Sequence, residues 1–286
     1  MKTNKLLLLC VTLFSVAFTT QLHADVLNPT NFTSLGTFDV TNGGYVIDTD
    51  ALTISEVNGG STNLLFTGVI DDQNGLADSF GPGGAVTNVG ALGIPYIAVF
   101  TFDDLALDGT ATFTVTGHRA LALLSRGNAY INVALSLNGK IGGQGFGPLP
   151  TEAATGGAGG AGGFAGGSAR VTSYPNALAE PGAGPGGGPG FSISLYSLRG
   201  AASGSFGSVG LMNSSNQTSV AYGDLTGVLQ GGSGGGGAVI LDSLSSTSSG
   251  GSGGGGALEI VAVGFLNIAS AASLTADGAT WVVAGN

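Results

Sequence analysis

Glycine runs constrain this chain more than any other feature. There are 55 glycines in 286 residues, gathered in stretches such as Gly156-Gly157-Ala158-Gly159-Gly160-Ala161-Gly162-Gly163. Such a run has no side chains with which to build a core, and it reaches dihedrals closed to other residues. Collagen is excluded, since glycine does not recur at every third position and there are only 9 prolines. The glycine-rich stretch at about 142–190 has two readings. It is either a long flexible excursion or a layer of extended, polyproline-like backbone. In the second reading the missing side chains permit close approach, and Phe164 is the one large anchor of its run. The flexible reading is the simpler expectation, and it makes residues 156–167 dispensable for stability.

The octapeptide Gly-Gly-Ser-Gly-Gly-Gly-Gly-Ala occurs at 231–238 and again at 250–257. Each copy leads into an apolar stretch, Val239-Ile240-Leu241 and Leu258-Glu259-Ile260. A period of about twenty residues falls in the range of solenoid coils. Elsewhere the apolar residues alternate with period two. Thr110, Thr112, Thr114 and Thr116 interleave with Ala111, Phe113 and Val115. Ile131, Val133, Leu135 and Leu137 alternate with Asn132, Ala134, Ser136 and Asn138. In strands, one set of each faces inward. The pattern predicts an all-β fold, a right-handed parallel β-helix (solenoid) with glycine-rich loops. Residues 25–108 read as an N-terminal β region and cap. Residues 109–286 read as the β-helix, with the glycine-rich insertion inside it.

The first residues are Met-Lys-Thr-Asn-Lys, followed by an apolar run from Leu6 to Phe18 and then Leu22-His23-Ala24. A basic head, a short apolar stretch and a small residue at the cut describe a secretory signal peptide over 1–24. The run is shorter than the roughly 20 residues a membrane-spanning helix needs. The single cysteine, Cys10, lies within this segment. The exported chain therefore relies on packing and backbone hydrogen bonds, with no disulfide. Its 17 acidic residues face five basic ones, Arg119, Arg126, Lys140, Arg170 and Arg199, a formal charge of −12. That balance argues against nucleic acid and anionic membranes as partners.

Oxygen donors cluster at Asp71, Asp72, Asn74 and Asp78, around Gly75. Calcium favours carboxylates and carbonyls at such density, so these four are calcium candidates and no other cofactor is expected. The spacing is not that of an EF-hand. Gly231-Gly232-Ser233-Gly234-Gly235 and Gly250-Gly251-Ser252-Gly253-Gly254 match the GxSxG pattern in letters. A nucleophile elbow needs a strand-to-helix turn with a histidine later in the chain, and His118 precedes both serines. Asp71-Asp72 and Asp103-Asp104 are adjacent acids, which strand geometry points to opposite faces. Glycoside hydrolysis needs two carboxyls facing across about 5–10 Å. Arg119 pairs more naturally with an aspartate than it serves as a lyase base. The threonine row at 110–116 is a single strand, too narrow alone for an ice-binding array.

The stretches 112–124, 129–133, 250–260 and 271–278 resemble glycine-rich bacterial secreted and cell-surface proteins built as parallel β-helices. The resemblance is one of pattern and composition over 103–286. It implies a right-handed parallel β-helix with protruding glycine loops, and a surface location. Some of those proteins carry a C-terminal Pro-Glu-Pro sorting signal, which 280–286 lacks. The expectation is a secreted or surface-exposed structural or adhesive protein without catalytic activity. The alternative is a polysaccharide-active enzyme or carbohydrate-binding protein on the same scaffold. Expected partners are a cell-surface or matrix component, including polysaccharide. Self-association through the C-terminal end is a further expectation, because Trp281-Val282-Val283 is apolar.

Overall fold

The computed structural model describes residues 26–74, 95–147, 153–173, 176–194, 201–212, 216–224, 227–241 and 246–279. The signal segment 1–24, Asp78 and Trp281-Val282-Val283 lie outside the described residues. After a short 3-10 turn at Pro29–Asn31 come β1 (Phe38–Val40), β2 (Gly44–Asp48), β3 (Thr53–Asn58), β4 (Ser61–Thr67) and β5 (Val69–Asp71). The chain continues through β6 (Ile97–Phe102), β7 (Leu105–Leu107), β8 (Thr112–Thr116), β9 (Ala120–Ser125), β10 (Ala129–Ile131) and β11 (Ala134–Ser136). Next are β12 (Gln144–Gly147), β13 (Ala169–Ser173), β14 (Asn176–Ala179), β15 (Phe191–Ser194), β16 (Ala238–Leu241) and β17 (Ser246–Ser249). Last are β18 (Leu258–Ala262), β19 (Leu266–Ile268) and β20 (Ser273–Thr275).

The architecture is all-β, with several sheets of mixed direction. Parallel rungs form one part of it. β1, β7, β10 and β19 stack in parallel, placing Phe38, Leu105, Ala129 and Leu266 in one file. β6, β9 and β18 form a second parallel stack, with Phe100, Leu123 and Ile260 in line. β2 pairs in parallel with β8, and β11 with β20. Side chains from successive rungs therefore meet inside. Phe100, Phe102, Leu105, Leu107, Leu121, Ile131 and Leu135 are all buried in one core. Phe38, Tyr45, Phe66, Phe102 and Phe113 close it as an aromatic cluster; Tyr45 and Phe113 stack at 5.2 Å, and Phe38 meets Phe66 edge-on at 5.1 Å. The period-two reading of Ile131, Val133, Leu135 and Leu137 holds, since all four are buried.

The other faces of β6 and β9 are covered as well. Ile97, Val99, Ala120, Ala122 and Leu124 pack with Leu27 and Phe32 of the N-terminal segment and with Ala257. Asparagine and aspartate side chains tie the corners of successive rungs. Asp104 Oδ1 accepts the Asn128 amide at 2.8 Å, and Asn128 Oδ1 accepts the Phe265 amide at 2.9 Å. Truncating a side chain at the centre of this core should be costly. Ile131→Ala is expected to lose about 2–5 kcal/mol, read as a lower denaturant midpoint at unchanged slope.

Antiparallel hairpins interrupt the parallel rungs. β2, β3 and β4 are antiparallel neighbours, as are β5 and β6. The β3–β4 reversal is set by Gly59 and Gly60, whose φ angles are 57° and 89°. Two consecutive positive φ values define the tight turn that matches strand twist, and glycine reaches them without a Cβ clash.

Residues 137–257, between β11 and β18, hold the glycine-rich part. Its described residues form a packed bundle and not a flexible excursion. Within 250–257 the amides of Gly250, Gly253 and Gly256 donate to the carbonyls of Gly143, Lys140 and Leu137. Those of Gly251, Gly254 and Ala257 donate to Gly167, Phe164 and Ala161. The carbonyls of Ser252 and Gly255 accept from Gly235 and Gly232. Each third residue thus faces the same neighbouring segment, the signature of a backbone with three residues per turn. A polyproline-II backbone has that period and no internal hydrogen bonds, so its amides must be satisfied by neighbours. The segment 231–237 behaves alike: its amides at 232 and 235, 233 and 236, and 234 and 237 reach three different segments.

This arrangement corrects the reading of the octapeptide repeat as successive solenoid coils. Gly232 bonds to Gly255 and Gly235 to Ser252, so the two copies lie side by side and run in opposite directions. The strands that follow them, β16 and β18, belong to different sheets. The glycines act as three-fold helices that pack against one another, not as turns between coils. A small apolar cluster of Ala154, Ala169, Val171 and Val239 sits at the edge of this bundle.

Candidate functional site

A groove of about 560 Å³ opens between the glycine bundle and the last parallel rung. Its walls are backbone from 231–233 and 254–257, with Leu137, Leu229, Leu258, Leu274 and Phe206. Ser233, the serine of the first GxSxG match, lies on its wall. Its hydroxyl donates to Tyr222 Oη at 2.9 Å and accepts the Gly186 amide at 3.0 Å. Tyr222 in turn donates to the Gly231 carbonyl at 2.7 Å, and burial pushes its phenol above the usual range. Ser233 is therefore tied into a structural relay inside a three-fold segment, not raised on an elbow.

The calcium candidates sit at the end of β5. Asp71 is buried, Asp72 is half-buried and Asn74 is exposed. The Asn74 amide donates to Asp71 Oδ1 at 2.9 Å, so the aspartate caps a tight turn. Between them, Gln73 joins this turn to Pro95 and Leu229. Its amide nitrogen donates to the Pro95 and Leu229 carbonyls at 2.8 and 2.9 Å, and its oxygen accepts the Leu229 amide at 2.7 Å. Among the described residues, no group of three or more His, Cys, Asp or Glu side chains is placed to hold a metal ion.

The other acids and bases are separated. Arg119 is buried and donates to the Thr49 and Asp50 carbonyls at 3.2 and 2.8 Å, with Asp50 Oδ1 at 3.7 Å. His118 Nδ1 lies 2.6 Å from Asp50 Oδ2. Arg119 therefore serves the junction between the β2–β3 turn and β9, and its acid is Asp50. Asp103 and Asp104 are exposed at a rung corner. Arg126 reaches the Phe32 carbonyl and holds the N-terminal segment. Asp108 accepts from Asn132 Nδ2 at 2.8 Å and from the Gly109 amide, bonds that hold its carboxyl below the ordinary range. Thr112, Thr114 and Thr116 face outward from β8.

Glu259 was not singled out by sequence, because one acid in an apolar strand reads as a surface residue. It is half-buried, and Oε1 accepts the Leu27 amide at 2.9 Å. Burial pushes its carboxyl above the ordinary value of 4.5, and the Leu27 bond partly opposes this. A raised folded-state value favours the neutral acid in the fold. Its stabilising contribution is complete below the unfolded value and is lost as pH rises through the folded one. Glu259→Gln should remove that loss while keeping an acceptor for Leu27. The variant is expected to melt higher than the parent at pH 7, with little difference at about pH 4. Parallel thermal melts at the two pH values check this.

Among the described residues, no helix is long and apolar enough to cross a membrane. Comparison with known proteins returns no matching family model, no similar curated protein and no similar solved structure.

Proposed function

We propose that this chain is a secreted or surface-exposed structural or adhesive protein, exported through a cleaved signal peptide at 1–24. On this reading the parallel rungs are a short right-handed β-helix, and the glycine bundle is a rigid platform carried by it. The observation that carries the reading is an outer loop of that bundle. Val209, Leu211, Met212 and Val220 are exposed there, and no charged residue occurs from 201 to 223. The loop is anchored by backbone and hydroxyl bonds: Ser203 donates its amide to the Leu211 carbonyl, and Ser219 Oγ accepts the Gly210 amide. An uncharged apolar loop on a rigid support suits adhesion to a surface or matrix component. The expected partner is part of the cell envelope or its matrix, including polysaccharide. Asp71, Asp104, Asp108 and Arg119 are engaged in turns and corners.

Retention on isolated cell-envelope fractions tests this. Leu211→Asp combined with Met212→Asp should reduce retention by at least about tenfold with an unchanged far-UV spectrum. Equal retention of parent and variant sinks the adhesive role of the loop. Depolymerisation of a polysaccharide by the parent, lost in Asp103→Asn, would establish the enzymatic alternative.

A further inference from the structure

Three sheets end on the same side of the molecule. Among the described residues, β18, β19 and β20 are each the outermost strand of their sheet, so three backbone edges lie together with no further strand along them. Side chains on this rung are exposed where their register partners further in are buried. Leu266 is 44% exposed, against 1% for Ala129 and Leu105. Ile268 is 47% exposed, against 0% for Ile131 and Leu107. Leu274 is 37% exposed, against 0% for Leu135. Phe265, at the corner before β19, is 82% exposed. Within the molecule, adding one more rung is what buries these positions.

Charge decides what kind of partner fits. The chain carries a formal net charge of −10, yet from 258 to 276 its one ionisable residue is Glu259. Glu259 is half-buried and turned to Leu27. The repulsion that opposes contact between copies elsewhere is thus absent at this rung. The opposite end of the rungs has a different surface. There the β3–β4 hairpin flanks β2, and β5 runs antiparallel along β6. Among the described residues, head-to-tail stacking therefore meets a parallel edge at β1 alone, whereas rung-to-rung contact uses all three edges of one surface twice.

We infer that the β18–β20 rung is an interaction surface for a second copy of this chain, forming a closed two-fold dimer. A two-fold axis makes the contact isologous and sets facing strands antiparallel. The open edges then gain hydrogen-bonding partners and the apolar row leaves water. The exposed side chains that carry the adhesive reading, Val209, Leu211, Met212 and Val220, are not part of this rung, so the inference is tested separately from that reading.

Sedimentation of the full chain tests it. The chain is expected to be dimeric at about 10 μM. Phe265→Asp replaces the most exposed apolar side chain of this rung with a charge and should raise the dissociation constant at least about tenfold, with the far-UV spectrum kept. Leu211→Asp, in the outer loop, should leave the dimer intact. A monomer at about 100 μM overturns the inference, and points to residues 280–286 of the same chain as the cover of this rung. Open-ended polymers also overturn it, as does a dimer indifferent to Phe265→Asp. Should that variant fail to fold, amide exchange in the parent decides. Protection along 266–268 must rise with protein concentration, and unchanged protection overturns the inference.

Discussion

Gly254→Val should unfold or severely destabilise this protein. A Cβ at Gly254 would overlap the Gly232 carbonyl oxygen and crowd the Ser233 carbonyl, both of which are backbone. No side-chain rotation relieves such a clash, so two three-fold segments must move apart. Gly254 also donates to the Phe164 carbonyl and accepts from the Gly160 amide, and both bonds weaken as the segments separate. Overpacking in a close-packed interior costs about 1–3 kcal/mol and more when backbone must shift. With the lost bonds at about 0.5–1.5 kcal/mol each, a loss of about 3–5 kcal/mol is expected. Ser252→Ala is the control in the same segment. It keeps a Cβ where one already exists, and should stay within about 0.5 kcal/mol of the parent. Denaturant unfolding of the two variants separates a specific packing requirement from general sensitivity of the segment. Equal stability of Gly254→Val and parent would mean that the bundle is not close-packed in solution.

The two halves of the fold differ in how far the sequence reveals them. The parallel rungs are legible because Ile131, Val133 and Leu135 carry side chains, and alternation of side chains is what pattern reading detects. The three-fold segments leave no such trace. Every face of 250–257 meets a neighbouring backbone, so nearly every position is glycine and the period of three is erased. The repeat at 231–238 and 250–257 was visible in letters, but letters carry no direction, and the two copies lie antiparallel. Phe164, the large side chain of its run, does sit within the bundle, through its amide bond to Gly232. The candidate site was legible only in part. Asp71, Asp72 and Asn74 are neighbours in sequence, and the structure shows a capped turn there. The Asp50 partner of His118 and Arg119 was missed, since strand register brings it in from 68 residues away. Pairing β2 with β8 by their alternation would have placed Asp50 beside His118. Glu259 and Leu27 meet across 232 residues, and no local pattern reports such a contact.

Deleting residues 156–167 should lower the melting temperature by more than about 10 °C, the reverse of what their composition suggests. Ordering glycine costs about 1–2 kcal/mol per residue, and this segment buries little apolar side chain in return. If nothing else held it, removal would be neutral or stabilising. Its backbone, however, supplies partners to several other segments. Ala158 accepts from Lys140, Ala161 from Ala257, Gly162 from Gly231, Phe164 from Gly254 and Ala165 from Ala183. Gly157, Gly160 and Gly167 donate to Gly251, Gly254 and Gly235. Without these residues the groups left behind lie inside a bundle that water enters only by opening it, and each unsatisfied one costs about 1–3 kcal/mol. The Gly162 amide also bonds the His118 carbonyl, so the loss reaches the parallel rungs at the start of β9. Thermal melts of parent and deletion variant, followed in the far-UV, measure the effect. An unchanged midpoint would return the segment to the status of a dispensable loop. A large fall would show that a run almost without side chains is held by its hydrogen bonds and itself holds the segments around it.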